Sequence, residues 1–327
     1  MNSGFLHQGC IYGSDAEFLS TAVPFVRDGL RRDEPVLVTT TSANLELLQD
    51  ALGTQAGDID YAESAYFGRR PPQLATAFQR YWTRHRPIAA SGAVRILAEP
   101  VWVGRSRREV AAWTRMEAGL NMVLADTAIW MICPYDTRIA DAAIIEDARR
   151  THPECVAGRR AKPCSQFIAP EEFARRHAPP KPPWDTTDFR FDGDLAATRR
   201  HVVDAAAQLL PSEESVGRFA IAVGEAMAYL RRRRIARVTA WVRPVAGRVV
   251  CTVHSAQPLD DIHPFVGFRT PGLREQTGDG LWLTNQICEW LDISSDASGC
   301  TIELAMPGPH AEEAHHVESQ RLAFGIS

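Results

Sequence analysis

Residues 31–41 read RRDEPVLVTTT, and they set the class of fold. A polar turn, Arg31 to Glu34, leads into a short apolar and β-branched run from Pro35 to Thr41, the signature of a buried strand. Helical stripes flank it. Phe18, Ala22, Phe25, Val26 and Leu30 share one face before it, and Leu45, Leu48 and Leu52 share one after it. Residues 94–97 (VRIL) and 128–133 (AIWMIC) read as two further buried strands. Between them Val110, Trp113, Met116, Leu120 and Val123 form an amphipathic helix. Strands alternating with helices predict a doubly wound parallel sheet covered on both faces.

The 327 residues suggest about two domains, and no repeat of fixed period runs through them. From 155 to 187 apolar periodicity fades and prolines gather at 163, 170, 179, 180, 182 and 183. This span is expected to be a semi-rigid Pro-rich linker. It separates a first domain, 1–154, from a second, 188–309, and residues 310–327 are expected to be a mobile tail. In the second domain Val202, Val203, Ala206, Leu209 and Leu210 form one helical stripe. Val216, Phe219, Ala220, Val223, Met227 and Leu230 form another. Two strands, 237–243 and 248–253, turn at Gly247. A long loop runs over 255–280, and a helix over 281–290 and a strand over 301–306 follow. Helices on one side of an antiparallel sheet make an α/β sandwich.

Composition excludes several functions. Acidic residues outnumber basic ones 40 to 36, a net charge of −4, which argues against nucleic-acid binding through bulk electrostatics. The six-residue run 128–133 falls far short of the about 20 residues of a membrane span. The opening MNSGFLHQGCIYGSD has neither the basic region nor the apolar core of a secretory signal. With seven cysteines read as reduced thiols, the expected location is the cytoplasm. Only two residues, Lys162 and Lys181, are lysine. Neither lies in a Gly-rich turn, which excludes a P-loop NTPase, and the scarcity argues against a pyridoxal-phosphate enzyme.

The candidate chemistry of the second domain lies in residues 278–293, GDGLWLTNQICEWLDI. Gly278 and Gly280 flank Asp279 directly before a helix whose inner face reads as Leu281, Leu283, Ile287 and Leu291. Glycines admit close approach of a ligand, and a helix N-terminus attracts anions. With Glu225 on an earlier helix, two strands and a long loop between, this order of elements resembles the GHKL ATPase domain. It is most similar to its serine-kinase branch, the anti-sigma factors of partner-switching systems. The resemblance implies Glu225 as the candidate general base. It puts Tyr229 where the family has its Mg²⁺-ligating asparagine, four residues on and on the same helix face. Ser255 and Gln257 fall where the family has its adenine-binding Asp and a Gly. Gly278, Asp279 and Gly280 keep the phosphate loop. A phenol is a poor Mg²⁺ ligand, and losing a charge-assisted hydrogen bond costs about 1.5–3 kcal/mol. These substitutions imply a degenerate, non-catalytic domain, a pseudokinase, with no cofactor expected; ATP with Mg²⁺ stays open. The run Arg231 to Arg234 reads either as a contact for an acidic partner or as a solvated helix end.

The first domain carries three distinctive pieces: Ala98-Glu99-Pro100-Val101-Trp102, then Arg115 to Asn121 (RMEAGLN), then Ile132 to Asp136 (ICPYD). Glu117 and Asn121 share a helix face. Glu99 and Asp136 each follow a predicted strand, at the end where open α/β sheets bind ligands. With His7 and Thr151-His152-Pro153, these pieces resemble the MEDS sensory domain. That resemblance implies a RecA/KaiC-like fold without a working P-loop, and a small-molecule ligand at Glu99, Trp102, Glu117, Asn121, Tyr135 and Asp136. Trp102, Trp113, Trp130 and Tyr135 also read as core aromatics, and Glu99 and Glu117 as partners of Arg95 or Arg115. No metal-spaced cluster is visible. Cys155 and Cys164, near His152 and His177, fit no standard zinc spacing and read as loop thiols or a redox or metal switch.

The expectation is therefore a cytosolic, anti-sigma-factor-like regulator. A sensory domain would control mutually exclusive binding of a sigma factor or an anti-anti-sigma protein by the second domain. Two alternatives remain: an active serine kinase using Asp260 or Asp261, and a metabolite-binding protein whose second domain is a platform for a homodimer. No nucleic acid or membrane partner is expected.

Overall fold

The computed structural model describes residues 4–63, 71–177, 190–245, 247–271 and 278–309. The chain divides into two compact units between His177 and Ala178.

The first unit runs β1 (Leu6–Tyr12), α1 (Asp15–Leu30), β2 (Val36–Thr40), α2 (Ser42–Leu52), a 3-10 helix (Gly53–Asp58), β3 (Asp60–Glu63), α3 (Pro71–His85), β4 (Val94–Ala98), α4 (Arg107–Val123), β5 (Ile129–Asp136), α5 (Ala142–Thr151), β6 (Glu154–Ala157), β7 (Arg160–Pro163) and α6 (Pro170–Arg176). Its sheet has the order β3-β2-β4-β5-β1-β6-β7. All neighbouring strands are parallel except the antiparallel β6–β7 hairpin. From β1 to β3 the chain moves one way along the sheet, through α1 and α2. From β3 to β6 it moves the other way, through α3, α4 and α5. Right-handed crossovers put these two sets on opposite faces. The first face buries Tyr12, Phe18, Phe25, Val38, Leu48, Leu97 and Ile132 in one core. On the other, α4 packs against α3, α5 and α6.

Arg95 shows what such a sheet demands of a charge. It sits in β4, 1% exposed, and its Nε donates to Glu34 at 2.6 Å while Nη1 donates to the Phe25 carbonyl at 2.9 Å. The guanidinium lies 4.3 Å from the Trp130 ring centroid. Gly29 leaves it room, since a Cβ there would stand 2.7 Å from Arg95 Cδ.

The second unit runs β8 (Arg190–Asp194), α7 (Leu195–Ala207), α8 (Glu213–Arg232), β9 (Arg237–Val245), β10 (Arg248–Ser255), α9 (Asp279–Ile287), β11 (Trp290–Asp296) and β12 (Gly299–Pro307). Its sheet, β11-β12-β10-β9-β8, is antiparallel throughout. Helix α8 packs against both α7 and α9. Val202, Phe219, Val223, Met227, Leu281, Ile302 and Leu304 lie in the core.

Three expectations change. Of the span expected as a linker, residues 155–177 belong to the first unit. Glu154 and Cys155 pair with Gln8 and Gly9 of β1, and Phe173 of α6 is fully buried. Strands of four residues are too short to display a period. Residues 178–187, and the tail 310–327, lie outside the described residues. The helix expected over 281–290 stops at Ile287, because Cys288 turns extended, and Trp290 begins a strand. Its inner face is Leu281, Thr284 and Asn285. Leu283 is 38% exposed, as a residue two positions on, about 200° around the helix, must be when Leu281 faces inward.

Glu34→Ala would strand the Arg95 charge in the core. Breaking a buried pair in this way costs about 3–5 kcal/mol, and urea denaturation of the variant should show a loss of that size. A loss below about 1 kcal/mol would make the pair no stronger than a surface contact.

Candidate functional site

Side chains alternate across a strand, and this divides the residues expected to share one pocket. Tyr135 and Asp136 are adjacent in β5, so they point to opposite faces. Glu99 and Asp136 go to the face covered by α1 and α2. Trp102, Glu117, Asn121 and Tyr135 gather on the face covered by α4.

On the first face Glu99 directly follows β4 and is 4% exposed. Its Oε1 accepts from the Tyr12 hydroxyl at 2.6 Å, and its Oε2 accepts from Asn44 Nδ2 at 2.8 Å and from the Thr40 hydroxyl. Asn44 also donates to the Tyr12 oxygen at 2.8 Å. These partners stand at the carboxyl ends of β1 and β2 and on α2. Here neighbouring strands lead into helices on opposite faces, the switch point where α/β sheets bind ligands. Burial pushes the Glu99 carboxyl above the usual range, against the pull of its three donors. Asp136 differs. Burial pushes it up, but the Arg138 fork, at 2.7–3.0 Å, and the Arg138 N–H outweigh that and leave it low. Arg138 also holds Asp15 at 2.8 Å.

The second face holds the denser centre. Ser106 and Glu109 close a capping box at the start of α4. The buried stripe Trp113, Met116, Leu120 and Val123 then fixes the roll of the helix and carries Glu117 inward. His7 of β1 stands 3.6 Å from Glu117, Nε2 to Oε2. The His152 Nε2 lies 3.6 Å from the same oxygen, and Cys133 Sγ is 3.4 Å from His7 Nε2. All four residues are buried. His152 precedes Pro153, which disfavours helix at the residue before it. Helix α5 therefore ends at Thr151, and His152 turns extended toward the sheet. Gly9 makes room there, since a Cβ would lie 3.1 Å from His152 Cγ. The rings of His7 and His152 are 4.1 Å apart. Tyr135 meets His152 edge-on at 5.6 Å and stacks on Trp102 at 5.9 Å.

The histidine–carboxylate contacts are not ion pairs. Burial lowers His7 to about 4 and His152 to about 3, and it raises Glu117 and Cys133. Asn121 Oδ1 lies 3.1 Å from His7 Nδ1, and its amide donates to the Thr151 carbonyl at 2.8 Å. His152 Nδ1 donates to the Ala148 carbonyl at 2.7 Å. His7 and Cys133, absent from the residues expected as the sensory site, are missed by sequence reasoning because no short spacing links them. Their signal is polar residues inside strands buried on both faces. Arg95, expected as a partner of Glu99, pairs with Glu34 instead.

The linker cluster does not assemble, since His152 turns to Glu117. Cys155 of β6 and Cys164, which directly follows β7, are neighbours, and burial pushes the Cys155 thiol up to about 12, with Cys164 adding to the rise. Cys164 donates to the Arg149 carbonyl at 3.0 Å. His177 stacks on Phe173 at 4.0 Å.

In the second unit Glu225, Tyr229, Gly278 and Gly280 meet. A Cβ on Gly280 would strike the Glu225 carboxylate, and one on Gly278 would reach the Tyr229 ring at 3.9 Å. Gly278 caps α9 with φ 104°, and Asp279 is the first residue of that helix. Tyr229 is 1% exposed. The Arg233 guanidinium lies 5.6 Å from its ring centroid, with Nη2 3.5 Å from its hydroxyl. Arg233 Nη1 also donates to the Asp260 carbonyl at 3.2 Å, and Nη2 reaches the Asp261 carbonyl at 3.5 Å. Ser255 accepts from the Gln257 N–H at 3.1 Å.

Residues 6–153 match the family model of MEDS, the methanogen/methylotroph, DcmR sensory domain. The match suggests a sensory, signalling role for the first unit. A search of curated proteins gives no match to the chain. Among the described residues no helix is long and apolar enough to cross a membrane.

Glu99→Leu leaves Tyr12, Thr40 and Asn44 without their acceptor, at about 1–3 kcal/mol per orphaned group. A fall of roughly 3 kcal/mol or more is expected in chemical denaturation. Glu99→Gln should cost less, with a pH signature. A native pKa raised above the ordinary 4.5 stabilises fully below that value and loses its effect as pH climbs through the native pKa. Wild-type stability minus that of Glu99→Gln should therefore fall as pH rises from about 5 to 8. A flat difference would place ionised Glu99 in the native state already at the lower pH.

Proposed function

We propose that the chain is an anti-sigma-factor-like signalling regulator of the cytoplasm. Its first unit, a RecA/KaiC-like module without a phosphate-binding lysine loop, senses a small ligand. Its second unit, a degenerate GHKL-type domain, binds a sigma factor or an anti-anti-sigma protein, and the sensed state biases that binding.

The observation that carries the reading is the pair Tyr229–Arg233 beside Gly278 and Gly280. An antiparallel sheet under α7, α8 and α9, with Glu225 against the GDG turn, supports the GHKL likeness. At the position of the expected metal ligand, however, stands a buried phenol with a guanidinium 3.5 Å from its oxygen. Mg²⁺ seeks carboxylate, phosphate or water oxygens at about 2.0–2.1 Å, and a fixed cation repels it. The Ser255 hydroxyl accepts a backbone N–H of its own turn, where the family offers a carboxylate to adenine. Asp260 and Asp261, the alternative ligands, lend their carbonyls to the same arginine. Such a site favours a surface for protein binding over phosphoryl transfer.

Calorimetric titration of the full-length protein with ATP should give no Mg²⁺-dependent binding up to millimolar concentration. Capture with the immobilised chain should retain a sigma factor or an antagonist of one. Tight Mg²⁺-dependent binding of ATP would make a serine kinase the better reading.

A further inference from the structure

The four side chains on the α4 face of the first sheet have the chemistry of a metal site. His7, Glu117, Cys133 and His152 come from β1, α4, β5 and the end of α5, and their ligand atoms all lie within 4.8 Å of one another. We propose that these four residues bind one divalent transition-metal ion, Zn²⁺ by first choice, in the core of the first unit.

The distances support it. Zinc bonds of about 2.0–2.3 Å place the ligand atoms of a tetrahedral site about 3.3–3.8 Å apart. The separations of Cys133 Sγ from His7 Nε2, 3.4 Å, and of each imidazole Nε2 from Glu117 Oε2, 3.6 Å, fall in that range. The two imidazole–carboxylate separations are too long for good hydrogen bonds, while the Cys133–His7 contact is an ordinary thiol hydrogen bond that a metal-bound thiolate would give up. Glu117 Oε2 and His152 Nε2 are buried without a hydrogen-bond partner, an unfavourable arrangement for any polar atom. Both orphaned atoms face one point, and an ion there satisfies both.

The surrounding bonds orient the ligands as a metal needs them. Both histidines engage their Nδ1 atoms outward, His7 with Asn121 and His152 with the Ala148 carbonyl, which leaves both Nε2 lone pairs for the ion. Such outer hydrogen bonds tune metal ligands. The charges also balance: a thiolate and a carboxylate offset a divalent cation, and a buried site tolerates a neutral sum best. Two imidazoles, one thiolate and one carboxylate in four-coordinate geometry suit zinc, whereas calcium and magnesium take oxygen ligands. Four protein ligands close the coordination sphere. The cavity bordering Glu117 and Cys133, which Glu99 also lines, measures about 10 Å³, room for one water at most. The ion is held there as a structural or sensed species and not to turn over a substrate. This assignment gives the sensory reading a ligand, while metal binding is measured without reference to signalling, so either can fail alone.

The test uses the full-length protein, stripped of metal with chelator, refolded and titrated with Co²⁺ under absorbance. The expected result is saturation at one ion per chain, with visible bands of tetrahedral intensity and a near-ultraviolet thiolate-to-cobalt band. Cys133→Ser should remove the near-ultraviolet band. Asn121→Ala keeps all four ligands but releases the His7 ring, and should weaken binding about 10–100-fold. Zinc counted per wild-type chain by mass spectrometry gives a readout that needs no variant to fold. Folded wild-type protein that holds no stoichiometric zinc and gives no cobalt bands overturns the proposal. So do bands that persist unchanged in Cys133→Ser and His152→Ala.

Discussion

A parallel sheet with helices on both faces leaves its central strands no contact with water, so every polar residue of β1, β4 and β5 must find partners inside the protein. Burying a charge without a partner costs far more than any single contact returns. Each ionisable group in the first unit meets this in its own way. Arg95 takes Glu34, a carbonyl and an aromatic face. Glu99 collects three neutral donors. Asp136 sits at the carboxyl end of the central strand β5 and keeps its charge under Arg138. His7, His152, Glu117 and Cys133 turn toward one another, and burial favours the neutral form of each.

Strand alternation then makes two centres of what the sequence lays side by side. Glu99 and Asp136 lie at the carboxyl ends of strands, under α1 and α2, in the position where open α/β sheets receive ligands. Glu117 and its neighbours lie beneath α4, sealed by Tyr135 and Trp102. One adjacent pair of residues, Tyr135 and Asp136, marks the divide. The two centres also differ in saturation. Glu99 has donors on both oxygens, whereas the Glu117 centre has two polar atoms with none. What sets these two apart from the other unpartnered atoms of the unit is that both belong to potential metal ligands and lie 3.6 Å from each other.

The second unit follows a different economy. Its sheet is antiparallel, its helices form one layer, and the GDG turn sits against α8. Because Glu225 and Tyr229 are one turn apart on α8, both face that turn. Arg233, a further turn along, stacks over the phenol and ties α8 to the carbonyls of Asp260 and Asp261. The glycine turn before α9 thus faces a carboxylate, a phenol and, one turn further, a guanidinium.

The alternation of β2, β4 and β5 with amphipathic helices is legible from composition and period alone, because strands buried on both faces are continuously apolar and the helices between them show one apolar stripe. The resemblance to the MEDS sensory domain is legible in other residues, Glu99, Glu117, Asn121 and Asp136 among them. Strand β1 is harder to read, since LHQGCIY breaks its apolar run with His7 and Gln8, and the four-residue strands β6 and β7 are too short to carry a pattern. The sequence by itself marked most of the apolar stripes that the core buries, Leu283 excepted, and singled out Glu99, Glu117, Asn121, Asp136, Glu225 and Tyr229 as candidates for chemistry. It could not determine which of them share a site. That depends on strand order, which puts β1 beside β5 across the 126 residues that separate His7 from Cys133, and on alternation, which sends neighbours to opposite faces. Long-range pairing is a property of the closed sheet, so only the tertiary structure brings His7, Glu117, Cys133 and His152 to one point.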